Sequence, residues 1–102
     1  MRRQISEIQI MPIKQKGGLV GFASLIFEDS LYLGSIGIFT TPQGNYRLTY
    51  PTKKISNSSL NIFHPINKTV GKQIEEAVIE KYEEVVKPYV GYNSFDAELR
   101  QI

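Results

Sequence analysis

The chain has 102 residues, enough for one domain, and its hydrophobic fraction of 41% and charged fraction of 22% are ordinary for a soluble globular protein. A net charge of +2 is too small to identify a polyanion-binding domain by itself. The absence of cysteine excludes disulfides, thiolate metal sites and a cysteine nucleophile. A chain of this size buries roughly 60–70% of the surface its unfolded form exposes, which supports one core but not a core plus a deep cofactor cavity. No cofactor is expected.

The N-terminus, Met1-Arg2-Arg3-Gln4-Ile5, has two arginines but no apolar run of signal-peptide length behind them, because Glu7 and Gln9 interrupt it. No apolar stretch reaches the ~18–20 residues of a membrane span. The expected location is cytoplasmic, with no membrane partner.

Strand period dominates the first two thirds. Ile8 and Ile10 alternate with Glu7, Gln9 and Met11, which predicts a half-buried strand over residues 7–13. Pro12 cannot donate to a ladder, so this strand should lie at an edge or end there. Lys16-Gly17-Gly18 predicts a turn. Residues 19–28 and 31–40 are mostly apolar runs joined by Asp29-Ser30, the pattern of a hairpin. Gly34 and Gly37 predict a bulge or a close backbone approach in the second of them. Tyr46, Leu48 and Tyr50 alternate with Arg47 and Thr49 in a fourth strand that stops at Pro51. The polar stretch 52–59 reads as an exposed loop, followed by a short strand at 60–63.

Helix period dominates the rest. Pro65 restricts His64 to extended conformations, and Asn67 or Thr69 can cap a helix. Val70, Ile74, Ala77, Val78, Tyr82 and Val85 then recur at three- and four-residue spacings, one apolar stripe. Pro88 is expected to end this helix of about 18 residues and ~27 Å. The fold class is therefore α+β: a small antiparallel sheet of about five strands, then one C-terminal helix packed on or beside it. Residues 1–87 form the domain and 88–102 a polar tail with room for a helical turn after Ser94.

Little in this chain suggests catalysis, and it is not expected to be an enzyme. His64 is the only histidine and has no nucleophile or acid at a known spacing; bonding backbone at the strand–helix junction explains it better. Glu76, Glu80 and Glu84 fall at i, i+4 and i+8 but lack a histidine or second helix to complete a metal site, so they read as a solvated face. Gly34-Ser35-Ile36-Gly37 lacks the strand–loop–helix context and lysine of a phosphate loop. The constellation with partner logic is Lys53 and Lys54 on the polar stretch with Lys68 and Lys72 at the helix start. Lysines supply phosphate contacts through counterion release, and a helix N-terminus adds partial positive charge. Arg47, Tyr46 and Tyr50 could add stacking for unpaired bases, or could simply pair across strands. By themselves, four lysines on a nearly neutral protein read more often as solvating charges than as a binding site.

Two segments resemble a known family. Met11 to Glu28 reads Met-Pro-Ile-Lys-Gln-Lys-Gly-Gly-Leu-Val-Gly-Phe-Ala-Ser-Leu-Ile-Phe-Glu, and Pro51-Thr52-Lys53-Lys54 is followed by Phe63-His64-Pro65-Ile66-Asn67 and the helix from Gly71 to Tyr82. This order is similar to that of the SpoVG family, the bacterial septation and stage V sporulation regulators, over about four fifths of the chain. The resemblance implies a homodimer that regulates sporulation, septation or gene expression by binding DNA, in some cases RNA. It also implies nucleic-acid contacts at Lys53, Lys54, Lys68 and Lys72, with Arg47 nearby. The chain departs from the family pattern at Gly34-Ser35 and Gly37, where larger polar residues are usual, and at Val70, where an arginine or other polar residue is common. The alternative from a different class is a protein-interaction adaptor of the division or envelope machinery, docking through a sheet edge or the acidic helix face.

Overall fold

The computed structural model describes residues 4–99, with side chains described for 4–86. Four strands pair antiparallel in sequence order: β1 (Ile5–Lys16), β2 (Leu19–Phe27), β3 (Leu31–Thr40) and β4 (Tyr46–Thr49). A separate two-stranded sheet follows, β5 (Thr52–Ile55) with β6 (Ser58–Asn61), and then one helix, α1 (Lys68–Leu99). The α+β class and the sheet-then-helix order agree with the sequence reading.

The turns follow from residues that tolerate positive φ. Lys16 pairs with Leu19 across Gly17 and Gly18, at φ 59° and 91°, the left-handed pair that matches the twist of a tight hairpin. Between β2 and β3, Glu28 and Asp29 take φ 55° and 56°, and Ser30 N–H donates to the Phe27 carbonyl at 3.0 Å. Pro12 lies within β1 opposite Gly21, and β1 is an edge strand, where a missing donor is tolerated.

Alternation divides the sheet into two faces. Ile10, Ala23 and Ile36 align across β1, β2 and β3, and Gly21, Ile38 and Leu48 align in the neighbouring row. This face is covered by α1 through Ile74, Val78 and Tyr82, which with Val20, Ala23, Leu25, Ile36 and Ile38 form the buried core. Leu25, Ile36, Ile38 and Val78 are fully enclosed. Gly21 makes room for α1: a β-carbon there would stand 3.4 Å from the Tyr82 ring and 3.0 Å from the Met11 carbonyl. The Tyr46 ring meets Tyr82 edge-on at 5.1 Å between centroids, fixing β4 beneath the helix. The predicted bulge falls at Gly34–Ser35, where the β2–β3 register shifts and Ser35 takes φ 59°.

Three sequence expectations are corrected. Residues 52–59 are not a loop but most of the β5–β6 hairpin, with Ile55 opposite Ser58 and Ser56 at φ 52° in the turn. The segment looked like loop because its strands are four residues long and exposed throughout, so neither carries a buried alternation. The predicted strand at 60–63 is correspondingly shifted to Ser58–Asn61. The helix also does not stop at Pro88: α1 runs 32 residues, about 48 Å, to Leu99. The 88–102 tail is therefore helical as far as Leu99, and its last three residues lie outside the described ones. Proline removes its own N–H and crowds the carbonyl four residues back, but the donors after it can resume the ladder.

Candidate nucleic-acid interface

The segment between β6 and α1 ties hairpin to helix. Ile62 N–H donates to the Pro51 carbonyl at 3.0 Å, closing the hairpin base. Tyr50 and Phe63 meet edge-to-face at 6.0 Å beside it. Pro65 lies against the first turn of α1, where a β-carbon at Gly71 would stand 3.5 Å from its ring. Asn67 is the cap: its Oδ1 accepts from Val70 N–H at 3.0 Å and its carbonyl from Gly71 N–H at 2.8 Å. His64 is exposed, with Nδ1 3.3 Å from the Pro65 carbonyl, the junction role the sequence favoured.

The five sequence-predicted site residues fall into three places. Lys68 and Lys72 are both exposed and one turn apart on α1, so they share a helix face. They line a shallow hollow with Pro65, Asn67, Gly71 and Glu75, and the helix's first turn carries no acidic residue. Lys53 and Lys54 are exposed neighbours on β5, so their side chains leave opposite faces of the hairpin. Lys53 pairs with Leu60 and Lys54 with Ser59. Arg47 stands on the sheet face away from α1, its guanidinium 5.9 Å from the centroid of Phe39. The helix lysines and Arg47 therefore lie on opposite sides of the sheet layer.

Electrostatics around the hollow are mixed. Burial first, and the Glu75 carboxylate second, push the Tyr50 phenol up to about 12. The same two kinds of cause act on Tyr82, where burial and then Tyr46 raise the phenol above its ordinary value. Glu76, Glu80 and Glu84 are exposed on α1, and Lys81 Nζ lies 3.5 Å from Glu84 Oε1. Among the described residues no cluster of three or more histidine or acidic side chains could hold a metal ion, and no helix is long and apolar enough to cross a membrane.

Sequence reasoning missed the aromatic rings that are free to act. Tyr46 and Tyr50 are committed to Tyr82 and Phe63. On the open face of the sheet, Tyr32 is 70% exposed, Met11 63% and Phe22 36%. The signal was there in β2 and β3, where Phe22 and Tyr32 fall out of phase with Ala23, Leu25 and Leu33, but only strand register reveals that they share a face.

Fold and surfaces together define a small two-layer α+β domain with one sheet face covered by a helix, one left open, and a hairpin appended beside the helix start. The chain belongs to the SpoVG family, whose sequence pattern matches residues 3–84. Its relatives include three proteins named "Putative septation protein SpoVG". That of Finegoldia magna is 32% identical over 79% of this chain and 75% of its own length. That of Acholeplasma laidlawii is 27% identical over 81% and 88%. That of Clostridium beijerinckii is 27% identical over 85% and 96%.

Proposed function

We propose that this chain is a non-enzymatic cytoplasmic regulator, linked to septation or sporulation, that binds DNA or RNA as a homodimer. The observation that carries the reading is the pair Lys68 and Lys72, exposed on one face of the helix start with no acid in the first turn. A helix N-terminus presents backbone N–H groups and partial positive charge, and two lysines beside it suit a phosphate. Lys54 adds positive charge on the polar face of the hairpin that precedes the helix, and Lys53 on its other face. The names of the relatives supply the link to septation.

The hairpin supports the homodimer. Its paired residues split into a polar face, with Thr52, Lys54, Ser59 and Asn61, and a second face carrying Ile55, Leu60 and Lys53. Ile55 and Leu60 remain 43% and 53% exposed. A two-stranded ribbon is marginal alone, so apolar side chains left uncovered on one of its faces suit a second copy. Dimerisation would double the lysines outside that contact, Lys54, Lys68 and Lys72, to about six cations on one assembly.

The test is a salt titration of DNA and RNA binding by wild type, Lys53→Ala/Lys54→Ala and Lys68→Ala/Lys72→Ala. Each neutralised phosphate contributes ~0.9 to the slope of log affinity against log salt, so removing two contacts should flatten it by roughly 2 per subunit. Unchanged affinity and slope in both variants would overturn the assigned residues. A partner protein retained in high-salt pull-down, with no nucleic acid bound, would favour the adaptor reading instead.

A further inference from the structure

We infer that the open face of the four-stranded sheet is a stacking platform for unpaired nucleobases, which makes single-stranded nucleic acid the preferred ligand. This rests on the reading above that the chain binds a polyanion, and it names which form and which surface.

The rings are positioned before any ligand arrives. Tyr32 is 70% exposed, yet it is not a loose side chain. A β-carbon at Gly34 would come within 2.9 Å of its Cε2 and 3.2 Å of its Cζ, so the ring lies against bare backbone two residues along β3. Phe22 stands between Met11 on β1 and Gly37 on β3 in a single cross-strand row. Gln9, Met11, Phe22, Ser24, Tyr32 and Ser35 line a shallow hollow of about 570 Å³. Its apolar surfaces offer faces for stacking, and its amide and hydroxyl groups can bond base edges. Aromatic side chains lose few rotamers on contact, so a ring already seated on the backbone is a low-cost platform.

Charge identifies the occupant. The next row across this face is Lys16, Leu19, Phe39 and Arg47, with Arg47 over the Phe39 ring. Neither this row nor Met11–Phe22–Gly37–Thr49 contains a carboxylate, while Glu76, Glu80 and Glu84 lie on the helix that covers the opposite face. A second copy stacked here about a twofold axis that sets this row against its own copy would bring Lys16 and Arg47 against like charge, with no acid in these rows to answer it. An axis that sets the row against the Glu28–Asp29 end would not, and sedimentation of the Phe22→Ala/Tyr32→Ala variant separates that case. A strand of nucleic acid brings phosphates to those cations and bases to the rings, the combination that single-strand binding surfaces use. Duplex DNA keeps its base faces stacked internally and gains nothing from the rings.

Fluorescence anisotropy with labelled oligothymidylate, oligouridylate and a duplex of matched length tests this. Wild type should bind the single strands more tightly than the duplex. Phe22→Ala/Tyr32→Ala should weaken single-strand binding on the order of 5- to 100-fold per stacking partner lost. The salt slope should stay unchanged, because no charge is removed. Tyr32→Phe should retain affinity, and Gly34→Ala, which displaces the ring without deleting it, should lose it. Circular dichroism melts of each variant establish that it is folded. Unchanged single-strand affinity in the folded double variant overturns the inference, as does dissociation of a dimer by that variant in sedimentation. If the lysine variants still weaken binding in that case, the function proposed above stands without this surface. Wild type that binds none of the probes overturns both.

Discussion

Gly37 and Gly71 have the same side chain and opposite expected responses to a methyl group. At Gly37 a β-carbon would lie 2.6 Å from Thr49 Oγ1 and 3.3 Å from the Phe39 ring, in the middle of a paired sheet that cannot open locally. Gly37→Ala should therefore destabilise by about 1–3 kcal/mol through overpacking. At Gly71 the same atom would make an ordinary 3.5 Å contact with Pro65 in a helical turn, so Gly71→Ala should stabilise by roughly 0.5–1 kcal/mol. Denaturant midpoints at constant slope check both signs. Tyr50 gives a prediction in pH. Its phenol rises from 10.0 to about 12, so the folded state holds it neutral where the unfolded chain would ionise it. That contribution to stability is complete below pH 10 and is lost as pH rises towards 12. In ultraviolet titration, Tyr50→Phe should remove one late-ionising phenol, and Glu75→Gln should bring that phenol's ionisation to lower pH.

At the scale of elements, α1 and the β5–β6 hairpin are held in contrasting ways. The helix is fixed by Ile74, Val78 and Tyr82, whose four-residue spacing sets one stripe on the sheet. That stripe was legible in the sequence because burial imposes a period. The hairpin was not, because every residue of β5 and β6 is exposed and no period is imposed on it. Its amphipathic character appears only after Lys53 is paired with Leu60 and Ile55 with Ser58. If the apolar side meets a second copy, Ile55→Ser/Leu60→Ser should shift a dimer towards monomer in sedimentation while leaving the circular dichroism of the main domain intact. Unchanged association would move the subunit contact elsewhere. Pro88 illustrates the reverse error: a strong local stop signal that the helical backbone nevertheless passes through.

Across the whole molecule, a net charge of +2 conceals an uneven distribution. Lys68 and Lys72 flank the helix start, Lys53 and Lys54 leave the hairpin on opposite sides, and Lys16 and Arg47 end a row on the open sheet face. The exposed acids of α1 sit on the layer opposite that face. The lysines at the helix start and the arginine thus belong to different surfaces, and a ligand touching both would have to pass around the sheet edge or bridge two subunits.

Local chemistry was enough to specify the four strands of the main sheet, the glycine turn, a cap at Asn67 or Thr69, the apolar helix stripe and the SpoVG relationship, because each depends on residues near one another in the chain. Tertiary structure alone decided which rings are buried and which are open, and on which side each cation stands. Side chains alternate along a strand, so a single bulged residue, as at Glu7 or Ser35, exchanges the two faces beyond it. Such a shift is settled by pairing with the neighbouring strand, not by the strand's own sequence.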